Sequence, residues 1–287
     1  SPSRRGEAPL SARCQIRKRS QRPMVNLLGI IALVGVFIVY DVLLQLAGLF
    51  NPKGFIPYTE HLQRKAVSKI FAVFAHYRGW KPRLINRLDG EIPERFILVA
   101  NHQSLFDIPV VWDLLPARCR MRFVAKRELG MGIPLVSSLL RRQGHALVNR
   151  KGDMFQTMKS LERFARRSKA EGFCPVLFPE GTRSRNGQLG PFHTAGFRRL
   201  IEIDPLPVLV AAIEGGSWVS SVRDLLKNLG RHTYTVRLVA VLPTPQGKKE
   251  ILATLAKSRD LVAAALEEMK AESAKLSLPG PESRSVP

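Results

Sequence analysis

FILVANHQSLFD, residues 96–107, decides the fold. Phe96–Ala100 is an apolar run too short for a helix and closed by polar Asn101, the pattern of a strand buried on both faces. From Leu105 the apolar residues recur at helical spacing, which predicts a helix over 105–115. Strand, polar turn and helix form the first half of a βαβ unit. Working outward, Met121–Ala125, Ala146–Asn149, Pro175–Phe178, Val208–Ile213 and Tyr234–Leu242 also read as strands. Ile133–Arg142, Met154–Ser168 (with Asp153 as N-cap) and Ala195–Ile203 read as helices. This rhythm predicts an α/β fold: a mostly parallel central sheet flanked by helices. Lys248–Lys270 reads as a final amphipathic helix, with a Pro/Ser tail after it and no internal repeat.

Upstream of residue 83 the pattern differs. LLGIIALVGVFIVY, residues 27–40, carries no charge; Asp41 interrupts, and VLLQLAGLF follows to Phe50. A membrane span needs about 20 apolar residues, reached here only by carrying Asp41 through at a cost of about 3 kcal/mol. No small-x-small cleavage site closes the run, and a buried core helix is the other reading. After Asn51-Pro52-Lys53-Gly54, the residues Leu62, Ala66, Ile70, Val73, Phe74 and Tyr77 recur at helical spacing, with Arg64, Lys65 and Lys69 off the stripe. Such a helix suits a headgroup layer or the surface of a core. Beside the apolar run, a two-helix membrane anchor preceding the α/β domain is the preferred reading. The expected organisation is a disordered basic arm (1–23), membrane-associated helices (24–80), an α/β domain (83–272) and a disordered tail (273–287). The chain opens on Ser and Met24 is a possible start, so nothing rests on the arm.

Across 287 residues, 45 Lys and Arg against 23 Asp and Glu give a net charge of +22. That field must face something acidic: nucleic acid, anionic lipid or an acidic protein. A nucleic-acid binder needs basic residues interleaved with aromatics or a reading module. Here aromatics are 7%, no such module is present, and the apolar run would be unexplained. No nucleic-acid partner is expected. Cys14, Cys119 and Cys174 are odd in number and far apart, which excludes a disulfide framework, suggests a reducing compartment and offers no CxxC pair for zinc. No metal site is expected. P-loop, GxGxxG, HExxH and GxSxG patterns are absent from the sequence.

What remains for chemistry sits at predicted strand ends, where open α/β sheets place ligands. In Asn101–Asp107, His102 has an imidazole that titrates near neutrality. Asp107, five residues on, can accept from one ring nitrogen and leave the other free as a general base. Taken alone, the pair reads rather as a histidine capping a helix beside a solvated aspartate, and the second motif is what shifts the reading. FPEGTRSR, residues 178–185, follows another strand. Gly181 lets the backbone approach a ligand, Thr182 and Ser184 offer hydroxyls, and Arg183 can grip a phosphate with its planar fork. A charged surface turn is the alternative. Arg150, closing GHALVNR (144–150), adds a guanidinium at a third strand end. Together these describe a base beside a phosphate site.

NHQSLFD, GHALVNR and FPEGTRS resemble the first three sequence blocks of the glycerolipid acyltransferases, the family of lysophosphatidic acid acyltransferase, over roughly residues 83–242. NHxSxxD and FPEGTRS in that order make a specific pair. The resemblance implies transfer of a fatty acyl group from acyl-CoA or acyl carrier protein to the free hydroxyl of a lysophospholipid, first among them 1-acyl-glycerol-3-phosphate. It implies His102 as base, Asp107 as its orienting partner, and Glu180, Gly181, Thr182 and Arg183 as the acceptor-binding block, with Arg183 and Arg150 suited to phosphate. No cofactor beyond the donor is implied. Two positions depart from the pattern: Val210 stands where a second proline follows Pro207, and His193 where lysine is common. They keep other acceptors open, including a lyso-ornithine lipid. A non-catalytic membrane scaffold is the remaining rival, opposed by intact His102, Asp107, Glu180 and Arg183. The basic residues Arg118, Arg120, Arg122, Lys126 and Arg127 suit either the anionic donor or a solvated face. The expected location is a membrane with the active site facing the cytoplasm, the inner membrane if bacterial. Residues 24–50 then enter one leaflet and return, or residues 58–78 complete a second crossing.

Overall fold

A computed structural model describes residues 10–50, 55–133, 135–148, 154–184, 186–220 and 222–277. Its sheet is built from β1 (Pro82–Asn86), β2 (Ile97–Ala100), β3 (Met121–Lys126), β4 (Ala146–Val148), β5 (Cys174–Leu177), β6 (Val208–Glu214) and β7 (Tyr234–Leu242). The spatial order is β1-β7-β6-β2-β5-β3-β4. From β6 to β4 all pairings are parallel. β7 pairs antiparallel with β6 and parallel with β1, so these two strands form an edge of reversed direction. The expected mostly parallel sheet is therefore present, with two strands turned round.

Alternation along the buried strands builds two cores. Phe96, Leu98 and Ala100 of the β2 segment, with Leu209, Ala211 and Ile213 of β6, face one side. There they meet α3 (Asp107–Leu114), α7 (Val222–Asn228) and the N-terminal helices. Ile97, Val99, Val208, Val210 and Ala212 face the other side. They pack against α5 (Met154–Glu171), α6 (Thr194–Ile203) and α8 (Gly247–Ser277). The result is a three-layer α/β/α domain that brings the carboxyl ends of β2, β5 and β6 together.

Alternation also divides the basic cluster of residues 118–127. Arg122 points inward, 1% exposed, with its guanidinium on Glu60 and the carbonyl of Gln143 (2.8 Å). Lys126 pairs with Glu128 at 3.0 Å. Arg122 is thus committed within the protein, whereas Lys126 stays at the surface, so the cluster is divided between interior and exterior. Behind it, burial and the cations Arg122 and Arg167 push His145 down to about 3. The neutral ring accepts a bond from the backbone N–H of Phe123 at 2.9 Å.

Two helices precede the sheet, α1 (Leu10–Phe50) and α2 (Phe55–Arg78). Residues 10–23 are helical, so this part of the arm departs from the expected disorder. Leu, Ala, Arg, Gln and Lys dominate it and are good helix formers even without an apolar stripe. Residues 1–9 of the arm and 278–287 of the tail lie outside the described residues, and 273–277 continue α8. Leu27–Phe50 has a mean hydropathy of 2.7 and is, among the described residues, the one helix long and apolar enough to cross a membrane.

One side of α1 is docked on the protein. Leu33, Val36 and Phe37 touch the first core, and buried Leu44 packs with Leu62, Ala66 and Leu135. Asp41 Oδ1 accepts from the backbone N–H of Leu135 (2.9 Å) and the hydroxyl of Ser138 (2.7 Å) at the start of α4 (Val136–Arg142). The opposite stripe, including Leu27, Ile31, Val34, Ile38, Leu46 and Leu49, is exposed. In α2 the apolar stripe faces inward: Leu62, Ala66, Ile70 and Phe74 are buried, while Lys65 and Lys69 are exposed. Of the two readings of α2, packing on a core is the one observed.

Candidate active site

β2 ends at Ala100 and the chain turns through Asn101–Ser104 toward α3, whose first residue is Asp107. Asn101 fastens this turn to β6 by a reciprocal pair of bonds with the backbone of Ile213, at 2.8 and 2.7 Å. Asp107 reaches back over the turn. Its Oδ2 accepts from the backbone N–H groups of Gln103 (2.7 Å) and Ser104 (2.9 Å) and lies 2.6 Å from His102 Nδ1. A carboxylate oxygen only accepts, so Nδ1 is the donating nitrogen and Nε2 keeps its lone pair. Nε2 has no hydrogen-bond partner among the described residues. The imidazole is buried, lying on the ring of Phe178 with centroids 4.3 Å apart and planes inclined by 14°.

The second motif holds the first. Glu180 Oε1 accepts from the His102 backbone N–H at 2.7 Å, and the His102 carbonyl accepts from Ser184 N at 2.7 Å. Both main-chain polar groups of His102 are thereby tied to residues 180–184. Glu180 Oε2 accepts from Gly190 N at 2.9 Å. Expected as part of an acceptor-binding block, Glu180 is buried with both oxygens committed to backbone amides. Burial raises its pKa above the usual carboxylate range, against the two N–H donors that favour the ionised form. Gly181 sits at φ +66°, a left-handed turn that disfavours a side chain. Thr182 is exposed, and half-buried Arg183 donates from Nη1 to the carbonyl of Ser220 at 3.0 Å. Arg150 lies outside the described residues.

A third segment, residues 215–220, closes the site. Gln103 Oε1 accepts from Gly216 N (2.9 Å) and Ser217 N (3.3 Å), and Ser104 Oγ donates to the carbonyl of Val219 at 2.8 Å. A Cβ at Gly216 would lie 2.8 Å from Cβ of Gln103 and 3.0 Å from Oδ1 of Asp107, so glycine is required here. The other Asp107 oxygen accepts from the hydroxyl of Tyr234, fully buried at the start of β7. Burial and the Asp107 carboxylate raise the phenol well above its ordinary value, so it stays a donor. Neither Tyr234 nor Phe178 was singled out by its residue type, because both read as apolar strand residues. Tyr234→Phe is expected to lower kcat about tenfold with KM unchanged, since a hydrogen bond to a charged group is worth about 1.5–3 kcal/mol. Steady-state kinetics beside a thermal melt would separate this from unfolding.

The site thus consists of an oriented imidazole at the mouth of a parallel sheet, clamped by a turn that carries an arginine. The Acyltransferase family profile matches residues 86–214, which contain every element of the site except the 215–220 segment and Tyr234. Among curated proteins, 1-acyl-sn-glycerol-3-phosphate acyltransferase beta of Homo sapiens is 28% identical over 148 residues, 52% of this chain and 51% of that one. The 1-acyl-sn-glycerol-3-phosphate acyltransferase of Cocos nucifera is 31% identical over 121 residues, covering 42% of this chain and 38% of its own. The chain spans about half the length, or less, of these relatives. A solved structure, the 1-acyl-sn-glycerophosphate (LPA) acyltransferase PlsC from Thermotoga maritima, aligns with a TM-score of 0.52 at 22% identity. It covers 87% of this chain and 98% of that one, a likeness of fold.

Proposed function

We propose that the protein is an O-acyltransferase that moves a fatty acyl group from a thioester to the free hydroxyl of 1-acyl-glycerol-3-phosphate, giving phosphatidic acid. The observation that carries this reading is the 2.6 Å contact of His102 Nδ1 with Asp107, inside a turn clamped by the FPEGTRS segment. The acceptor O–H is placed at Nε2. As its oxygen attacks the thioester carbonyl carbon, the proton passes to the imidazole. The new C–O bond forms, the C–S bond breaks, and the proton leaves with the departing thiolate. Asp107 steadies the transient imidazolium. Such base assistance is worth about 10² to 10⁴ in rate. No acyl-enzyme is needed, in keeping with the absent nucleophile elbow.

Arg183, with Arg150, is assigned to the acceptor phosphate, whereas Glu180 acts through the main chain of His102. His193 keeps a second acceptor in view. Its ring carbon lies 3.6 Å from where a Cβ at Gly181 would be, so an imidazole borders the acceptor turn where the family pattern has lysine. The test is an assay of the purified chain with acyl-CoA and acyl carrier protein donors against lysophosphatidic acid, lysophosphatidylcholine and lyso-ornithine lipid. Phosphatidic acid is the expected product. Acylation of lyso-ornithine lipid alone would replace the acceptor, and no transfer to any would remove the reading. Arg183→Ala is expected to raise KM for lysophosphatidic acid at least about tenfold, the scale of one charged hydrogen bond, with a smaller effect on kcat.

The same reading places the protein on a membrane. The exposed stripe of α1 enters one leaflet while its docked side stays on the domain, with Asp41 satisfied by α4. Exposed Lys65 and Lys69 of α2 face the headgroups. Anionic lipid attracts such cations by about 1 kcal/mol each near the surface. This shallow entry keeps His102 on the cytoplasmic side, where acyl donors are made.

A further inference from the structure

Of the three tryptophans, Trp80 and Trp112 are 3% and 2% exposed, whereas Trp218 is 47% exposed. It stands on the Gly216–Val219 turn, whose backbone is held on both sides by the site: by Gln103 and Ser104 through residues 216, 217 and 219, and by Arg183 through Ser220. Its own carbonyl accepts from Asn228 Nδ2 at 2.9 Å. One face of the indole is covered by the His232 ring, with centroids 3.9 Å apart and planes 10° from parallel. Burial and neighbouring Arg231 hold His232 below its ordinary pKa, so the ring behind the indole is neutral at neutral pH. Arg231 adjoins His232, and Lys227 precedes Asn228, which is bonded to the Trp218 carbonyl; both cations are exposed and have no carboxylate partner among the described residues.

We propose that Trp218, backed by His232, is the stacking platform for the purine of coenzyme A, so that the acyl donor is a nucleotide thioester rather than acyl carrier protein. The proposal rests on the acyl-transfer reading above. A rigid, half-covered indole with cations beside it matches a planar base carrying phosphates. Its location fits as well. The pantetheine arm separates purine from reacting carbonyl, so the platform belongs beside the His102 turn and not within it. Acyl carrier protein presents the same arm without a purine and leaves Trp218 without a role.

The experiment uses the full chain in detergent micelles. Because the other two indoles are buried, coenzyme A and adenosine 3′,5′-bisphosphate are expected to quench the emission of Trp218, and pantetheine is not. In kinetics, the ratio of kcat/KM for acyl-CoA to that for acyl-pantetheine is expected to fall about tenfold in Trp218→Leu and to recover in Trp218→Phe, in line with the weight of one base stacked on an aromatic ring. An unchanged ratio, or quenching by pantetheine alone, would overturn the proposal. So would a Trp218→Leu effect confined to binding of anionic vesicles, which would make the residue an interfacial anchor. Quenching is read without turnover, so a protein that binds coenzyme A yet acylates no lysolipid would sink the acyl-transfer reading and leave the nucleotide platform standing.

Discussion

His102→Ala is expected to lose about 10³-fold in kcat, within the usual span for a general base, with KM for both substrates nearly unchanged. An alcohol is a poor nucleophile at neutral pH, and Nε2 is the basic atom that the turn leaves without a partner. The substitution deletes the side chain but keeps the backbone bonds of residue 102 to Glu180 and Ser184, so the turn retains its shape. The lost stacking on Phe178 opens a small cavity, to be checked by a thermal melt. Added imidazole should restore part of the activity by entering that cavity. Equal kcat for the variant and the native protein would remove the mechanism.

Asp107→Asn is expected to cost about 10²-fold in kcat, less than loss of the base. Three N–H donors converge on Oδ2: His102 Nδ1 and the backbones of Gln103 and Ser104. They oblige the amide to place its oxygen there and its nitrogen toward the Tyr234 hydroxyl, which can accept. The imidazole tautomer is then preserved, and what disappears is the negative charge opposite the imidazolium. The double variant His102→Ala, Asp107→Asn should be no slower than His102→Ala alone, because groups that act as a unit are not additive. Multiplying effects in the double variant would mean that the aspartate works independently of the histidine.

The strands that carry the site were legible because each is a short apolar run closed by a polar turn. Tyr234–Leu242 was bounded as observed, and the ends of β2 and β5 lie within one residue of expectation. β1 was not legible: Pro82-Arg83-Leu84-Ile85-Asn86 has too few apolar residues to announce a strand, and only pairing with β7 makes it one. Nor was the reversal of β7, since periodicity carries no direction and the α7 connection resembles an ordinary crossover. At the site, the His102–Asp107 pair followed from local spacing. The grip of Glu180 on the His102 amide, 78 residues away, did not, nor did the Tyr234 bond, 127 residues from Asp107. A carboxylate in a motif looks the same in sequence whether it meets a ligand or a peptide group.

The docking of α1 bears on any attempt to render this protein water-soluble by trimming its front end. Cutting away the greasy segment would strip the cover from Leu62, Ala66 and Leu135 and take Asp41 from Ser138 and from the Leu135 peptide. The shortened chain would exchange an outward oily stripe for a newly bared inner one, with the neighbourhood of α4 loosened. Replacing the outward residues Ile31, Val34, Ile38 and Leu46 with polar ones, while leaving Asp41 and Leu44 in place, is the alteration that respects how the piece is fitted.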